Sequence, residues 1–205
     1  MQTKRIKISS SGAGMNEALE LTDSVAETLG LARKEAFRLR LLAEELLGMV
    51  RAVAGDIDAD FWIDGDGRNC ALHVASDKVS LNYAERSEFL SVSTKGENTA
   101  PRGIMEKIRN VIEASLYSLE EGLNIQNEYG SGVFLYGSVG VLDAGMEQAV
   151  YAWSMQKYKS EIESARAENP DEWDELEKSI IANIADDVSV GVRKGNFEIT
   201  VSKKF

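Results

Sequence analysis

Alternating and helically spaced apolar residues divide the N-terminal quarter of the chain into three elements. Ile6 and Ile8 alternate with basic residues, which predicts a strand over residues 4–10. Apolar residues then recur every three to four positions over residues 16–29, the spacing of an amphipathic helix. The same spacing returns over residues 33–54 and predicts a second helix directly after the first, with Phe37 on its buried side.

Two β-hairpins are predicted from apolar residues that alternate with period two. The first spans residues 61–74, with a turn at 64–69 that is rich in glycine, aspartate and asparagine. The second closes the chain at residues 188–201, around a turn at 194–196. Antiparallel strands are therefore expected early and late in the chain.

The middle of the chain is less regular. Residues 79–92 fit a strand and a short helix equally well, so both alternatives stay open. Pro101 suits the first turn of a helix, and two further helices are predicted at 146–167 and 172–185. Because helices and antiparallel strands form separate groups, we predict an α+β fold, built as a two-layer α/β sandwich.

Composition narrows the classes of function. Apolar residues make up 43% and charged residues 28% of the chain, and no apolar run approaches the roughly 20 residues that span a bilayer. The basic N-terminus has no apolar centre of the secretory kind, so we expect a cytoplasmic protein that does not bind membranes. The net charge of -11 argues against a nucleic-acid partner, whose binding depends on a basic surface.

The residues that most often carry metal or nucleophilic chemistry are scarce. Cys70 and His73 are the single cysteine and the single histidine, too few for a disulfide or a structural zinc site. We predict that both are packed on one strand, on opposite faces, and so form no dyad. Asp64 to Gly67 suggests a calcium loop, but the EF-hand pattern would need ligands at Trp62 and His73, so a hairpin turn is the better interpretation.

Residues 41–50 resemble the motif helix of the GHKL (histidine kinase-like) ATPases, nearest to the anti-sigma-factor kinase branch. In that family a glutamate precedes a magnesium-binding asparagine by four residues, a spacing that puts both on one helix face. Glu45 matches the glutamate and is the expected catalytic residue. Met49 stands at the asparagine position, where a thioether is a poor ligand for a hard cation. The resemblance therefore implies no protein-held metal site.

The resemblance also implies a nucleotide-binding loop region. Asp77 follows a predicted strand, where the family has the aspartate that contacts adenine, although the glycines that normally follow it are absent. Further residues resemble the lid and helix start that contact phosphates in the family, where basic side chains and a helix N-terminus favour anions. These are Lys95, Gly96, Arg102, Gly103 and Lys107.

With this resemblance, the whole chain 1–205 is interpreted as a single GHKL-like domain with a mixed, mainly antiparallel sheet. It carries a helical insertion at about 111–185 and a C-terminal hairpin at 186–205. The implied function is an adenine-nucleotide-binding regulatory protein that takes ATP or ADP, at most a degenerate ATPase or protein kinase. The alternative is a nucleotide-free interaction module of the anti-sigma or partner-switching type, with a protein partner bound through the 111–185 insertion. An unrelated α+β domain also remains open.

Overall fold

The computed structural model describes residues 1–52, 57–76, 150–165, 179–193 and 196–205. Its strands are β1 Ile6–Ser9, β2 Asp58–Asp66, β3 Asn69–Ser76, β4 Val150–Ser154, β5 Asp187–Arg193 and β6 Asn196–Lys204. Its helices are α1 Met15–Thr28, α2 Arg33–Ala52, α3 Met155–Ala165 and α4 Ile180–Ile184.

The strands form one six-stranded sheet in the order β1-β2-β3-β6-β5-β4, and every pairing among the described strands is antiparallel. The register aligns one row of apolar side chains across all six strands, each at most 4% exposed. The row consists of Ile6, Phe61, Val74, Ile199, Val190 and Trp153. This row is the floor of the hydrophobic core.

The described helices cover this apolar face of the sheet. Helix α1 packs on β1, β2 and α2, and α2 also contacts β6 and α4. Helix α3 lies against β4 and β5, where the ring of Tyr158 meets that of Trp153 at a centroid distance of 5.9 Å. Leu39, Leu42 and Leu46 of α2 are fully buried, and burying one such side chain stabilises the fold by about 1.5–3 kcal/mol. The fold is therefore α+β, with a helical layer on one side of an antiparallel sheet.

Charged contacts at its start fix the direction of α2. Glu35 accepts a hydrogen bond from the backbone NH of Ala32 and forms an ion pair with Arg68, which lies in the turn between β2 and β3. The helix is about 30 Å long. Its C-terminal half therefore lies toward the opposite end of the sheet, where β3 ends at Ser76.

Two turns need glycine. Gly14 begins α1 at φ +71°, and a Cβ there would lie 1.9 Å from the carbonyl oxygen of Lys7, so β1 and α1 approach closely at this point. Gly67 adopts φ +60° in the turn of the β2–β3 hairpin. That turn occupies positions 67 and 68 alone, shorter than the predicted 64–69, because the strands extend to Asp66 and from Asn69.

Two predictions in the C-terminal half are wrong. The helix predicted at 146–167 begins only at Met155, because Val150–Ser154 forms the edge strand β4. The β-branched and aromatic residues of Val150–Ser154 fit the periodicity of a helix and that of a strand. Pairing with β5 makes the segment a strand. The helix predicted at 172–185 is not continuous, since Ser179 is extended and its hydroxyl caps α4. The described part of the 111–185 insertion thus supplies a strand as well as helices.

Candidate functional site

Glu45 lies on one flank of α2, at the border of its buried face. Arg40, which pairs with Asp23 of α1, marks the opposite flank, so Glu45 faces away from α1. The side chain of Glu45 is half-buried, and no described residue donates a hydrogen bond to its carboxylate. Burial raises the pKa of this carboxyl, and the neighbouring Glu44 raises it further. The Glu45 carboxyl is thus partly desolvated and has no partner among the described residues.

Met49, four residues after Glu45, belongs to the hydrophobic core. Its side chain is 1% exposed, packed with Leu46 and Val50 in the cluster beneath α2. A buried thioether supplies no oxygen ligand, and oxygen is what magnesium prefers. This position therefore serves packing and cannot complete a magnesium site with Glu45.

A hydrogen bond connects the C-terminal residue of β3 to β6, at the end of the sheet toward which the C-terminal half of α2 lies. Ser76, 3% exposed, accepts a hydrogen bond at its hydroxyl from the backbone NH of Phe197, at 3.1 Å. Asp77, expected at the adenine, comes directly after Ser76 but lies outside the described residues. The same holds for Lys95, Gly96, Arg102, Gly103 and Lys107. Of the predicted site residues, the structure therefore places Glu45 alone.

The opposite side of the sheet, here called the polar face, carries a stacked aromatic pair that the sequence did not reveal. The rings of Trp62 and His73 lie 4.8 Å apart with an interplanar angle of 3°. The guanidinium of Arg5, the residue before β1, lies 4.2 Å from the Trp62 ring centroid, a cation–π distance. Thr200 Oγ1 is 3.1 Å from His73 Nδ1. Trp62, His73 and Thr200 occupy one row of the register, and Arg5 directly precedes β1.

Two carboxylates flank the His73 ring. Asp64 Oδ2 is 3.3 Å from Nε2, and Glu198 Oε1 is 3.4 Å from Nδ1. The Nε2 atom is nevertheless buried without a hydrogen bond in the described structure, because its separation from Asp64 lacks the alignment that a hydrogen bond requires. Among the described residues, the His73 ring does not act as the base of a cysteine nucleophile. Cys70 is buried on the apolar face, and burial raises the pKa of its thiol.

A depression of about 620 Å³ adjoins this cluster near the β2–β3 turn. Its lining includes Asp64, Asp66 and Asp186 together with Lys203 and Lys204. Burial alone would raise the pKa of Asp186, but hydrogen bonds from Lys203 Nζ at 2.7 Å and from the Lys204 NH at 2.6 Å, with the nearby positive charges, lower it. Lys203, Lys204 and the N-terminal ammonium of Met1 are offset by three carboxylates, so this depression offers a polyphosphate no net positive charge and is the poorer place for a nucleotide.

Metal-binding groups are lacking in the described parts of the chain: no three His, Cys, Asp or Glu side chains converge there.

The polar-face cluster was missed because alternation shows only that Trp62 and His73 point away from the core. Their stacking depends on the pairing register of β2 with β3, in which the two residues are direct partners. A prediction of the β2–β3 register from the sequence would have paired Trp62 with His73 and so revealed the stack.

Comparisons of the chain with protein-family models, with curated proteins and with solved structures found no match. No helix within the described ranges is long and apolar enough to cross a membrane. The fold and site therefore define the class only as an α+β protein whose six-stranded antiparallel sheet is covered by helices on one face.

Proposed function

We propose that the chain is a regulatory protein that binds an adenine nucleotide between the C-terminal half of α2 and the end of β3. The observation that carries this proposal is the half-buried carboxyl of Glu45, which has a raised pKa and no partner within the described parts of the chain. Partial desolvation disfavours the charged form of a carboxyl that has no partner. Carboxyls with pKa values raised in this way are concentrated at functional sites. Glu45 lies toward the end of the sheet at which β3 finishes, and Asp77 is the next residue in the sequence after Ser76.

The choice of ligand is supported by the order of elements. A strand, a helix pair, a hairpin and a terminal hairpin follow one another as in the GHKL family that residues 41–50 resemble. In this proposal Asp77 accepts a hydrogen bond from the adenine amino group. Lys95, Arg102 and Lys107 lie near the phosphates, with Gly96 and Gly103 allowing close backbone approach.

The proposed protein binds nucleotide with little or no turnover. Met49 is buried where the family has a magnesium-binding asparagine, so the chain supplies no protein ligand at that position. Glu45 could orient a water molecule, but without a held metal the developing phosphate charge lacks its usual counterion. Regulation would then depend on binding and release of ADP or ATP rather than on hydrolysis.

Isothermal titration with ADP and ATP, each with and without magnesium, tests the proposal. We expect saturable heat that magnesium changes little, and weaker binding in Asp77→Asn. Glu45→Gln should alter the heat, whereas Glu44→Gln is the matched control, since Glu44 is exposed and already paired with Arg40 at 3.1 Å. Absence of both heat and a thermal shift at millimolar nucleotide would remove the proposal.

A second candidate is favoured by the burial of Met49: a nucleotide-free interaction module that binds a protein through the insertion. Because β4 and α3 belong to the sheet and core, removing all of 111–185 would damage the fold. Deletion of residues 111–145 alone is the sharper test. If the chain is such a module, the tagged chain should isolate a complex with its partner protein. The deletion should weaken this complex, whereas Glu45→Ala should leave it unchanged.

A further inference from the structure

The exposed side of α2 carries, in its N-terminal half, a group of residues here called the basic–aromatic patch. It consists of Arg33, Lys34, Phe37 and Arg38, all exposed. Phe37 is 60% exposed, the most exposed large apolar side chain among the described residues. Positions three and four apart are neighbours on a helix, so Arg33 and Lys34 lie one turn before Phe37 on its side of the helix, and Arg38 lies one turn after Lys34.

The patch differs from the rest of the helix in its pairing. Arg40, on the α1 side, forms ion pairs with Asp23 and Glu44. Within the described residues, Arg33, Lys34 and Arg38 have no acidic partner, hydrogen bond or ring contact. Three free cations on one surface are unusual for a chain with a net charge of -11.

Each feature of the patch works against the folded state. Arg33 and Lys34 occupy the first turn of α2, where the helix dipole favours anions. Lys34 and Arg38 are like charges four residues apart, an unfavourable spacing. Phe37 keeps most of its apolar surface in water. Departures from local preference that gather on one surface, with no gain inside the fold, are expected at functional sites.

We propose that the basic–aromatic patch docks an acidic segment of a partner protein, in which an apolar side chain packs on Phe37 between carboxylates that pair with Arg33, Lys34 and Arg38. Charge complementarity selects this occupant. A nucleic acid would be repelled by the rest of the chain, whose net charge is -11. A short peptide segment contacts the patch alone, and the exposed phenyl ring gives it an apolar anchor.

A library of short random peptides, selected on the immobilised full chain, tests this proposal without a known partner. Enriched peptides are expected to carry Asp or Glu on both sides of one large apolar residue. Labelled copies should bind about tenfold more weakly, or worse, to the triple variant Arg33→Glu/Lys34→Glu/Arg38→Glu and to Phe37→Ser. Their affinity should also fall with rising salt.

Arg51→Glu is the matched control, because Arg51 is exposed on the same helix but lies about four turns from Phe37. It should leave peptide affinity unchanged. The patch variants should keep a melting temperature close to that of the wild type, which shows that lost binding is not lost folding. The triple variant places acidic residues in the first turn of α2, where the helix dipole favours them, and Phe37→Ser removes exposed apolar surface. Glu45→Gln should not affect peptide binding, so the outcome is independent of nucleotide binding.

Several results would overturn the proposal. Enrichment of no peptide, or of peptides that bind the patch variants as well as the wild type, would do so. Binding to phosphatidylserine vesicles or to single-stranded DNA that the triple variant abolishes would assign the patch to a membrane or a nucleic acid. A dimer in sedimentation that Phe37→Ser dissociates would assign it to a second copy of the chain.

Discussion

The two faces of the sheet are built from the same strands but differ in what holds them together. On the apolar face, one row of aliphatic and aromatic side chains crosses all six strands and lies beneath the helices. On the polar face, the adjacent row holds Trp62, His73 and Thr200, with Arg5 over the Trp62 ring and carboxylates beside the imidazole. Consecutive residues, such as Leu72 and His73, therefore meet quite different surroundings.

This difference separates the residues that determine the fold from those free to carry other tasks. Apolar packing on one face is repeated in every strand, so it specifies the register and the placement of the helices. The polar face depends on a few specific contacts, each of which contributes little alone. Mutations of neighbouring residues on the two faces should show this directly.

The largest effect is expected on the apolar face. Leu72 is fully buried at the centre of the sheet, so Leu72→Ala removes packed methyl groups and leaves a cavity. We expect a loss of about 2–5 kcal/mol in the free energy of unfolding, measured by urea denaturation. A loss below about 1 kcal/mol would mean that this face is not the core.

His73→Ala, one residue along β3, should have a smaller effect. It removes the stacking on Trp62 and the contact with Thr200, together worth about 1–2 kcal/mol. The same urea denaturation measures it, with Arg5→Ala as a companion that tests the cation–π contact at about 0.5–1 kcal/mol. If His73→Ala destabilised as much as Leu72→Ala, the contrast between the faces would fail.

At the rim of the polar face, Asp186 should make stability depend on acid. Its contacts with Lys203 and Lys204 lower its folded pKa below the ordinary 3.8, so the stability it contributes is present above that value and is lost as pH falls through the folded pKa. The urea midpoint of the wild type should exceed that of Asp186→Asn at neutral pH, and the difference should shrink in acid. An equal difference at all pH values would show that charge is not involved.

The smallest effect is expected at Glu45. Its pKa is raised in the folded chain, so the stability linked to its protonation is present below the ordinary 4.5 and is lost as pH rises through the folded pKa. Glu45→Gln should therefore raise the melting temperature slightly at neutral pH and leave it unchanged in acid. A lower melting temperature at neutral pH would indicate a stabilising partner for the carboxylate.

Periodicity predicted the fold well where one pattern dominates. Ile6 and Ile8, the two N-terminal helices and both hairpins lie where alternation and helical spacing indicate. The segment Val150–Ser154 could not be assigned correctly because valine and tryptophan at this spacing suit a helix as well as a strand, and pairing with a distant strand decides.

The candidate site was harder to predict than the fold. The position of Glu45 on α2 follows from helical spacing, but its half-burial depends on how α2 lies on the sheet. The Trp62–His73 stack depends on pairing register, and Phe37 looked like a core residue because its spacing fits the apolar stripe. Only the packed structure shows that it lies outside.

Backbone NMR of the isotope-labelled chain during titration with ADP tests the central claim most directly. The account predicts saturable shifts of the amide signals around Glu45 and Ser76, at the shared end of α2 and β3, with the indole NH of Trp62 unchanged. No shift at millimolar ADP, or shifts confined to Trp62, His73 and their neighbours on the polar face, would contradict it.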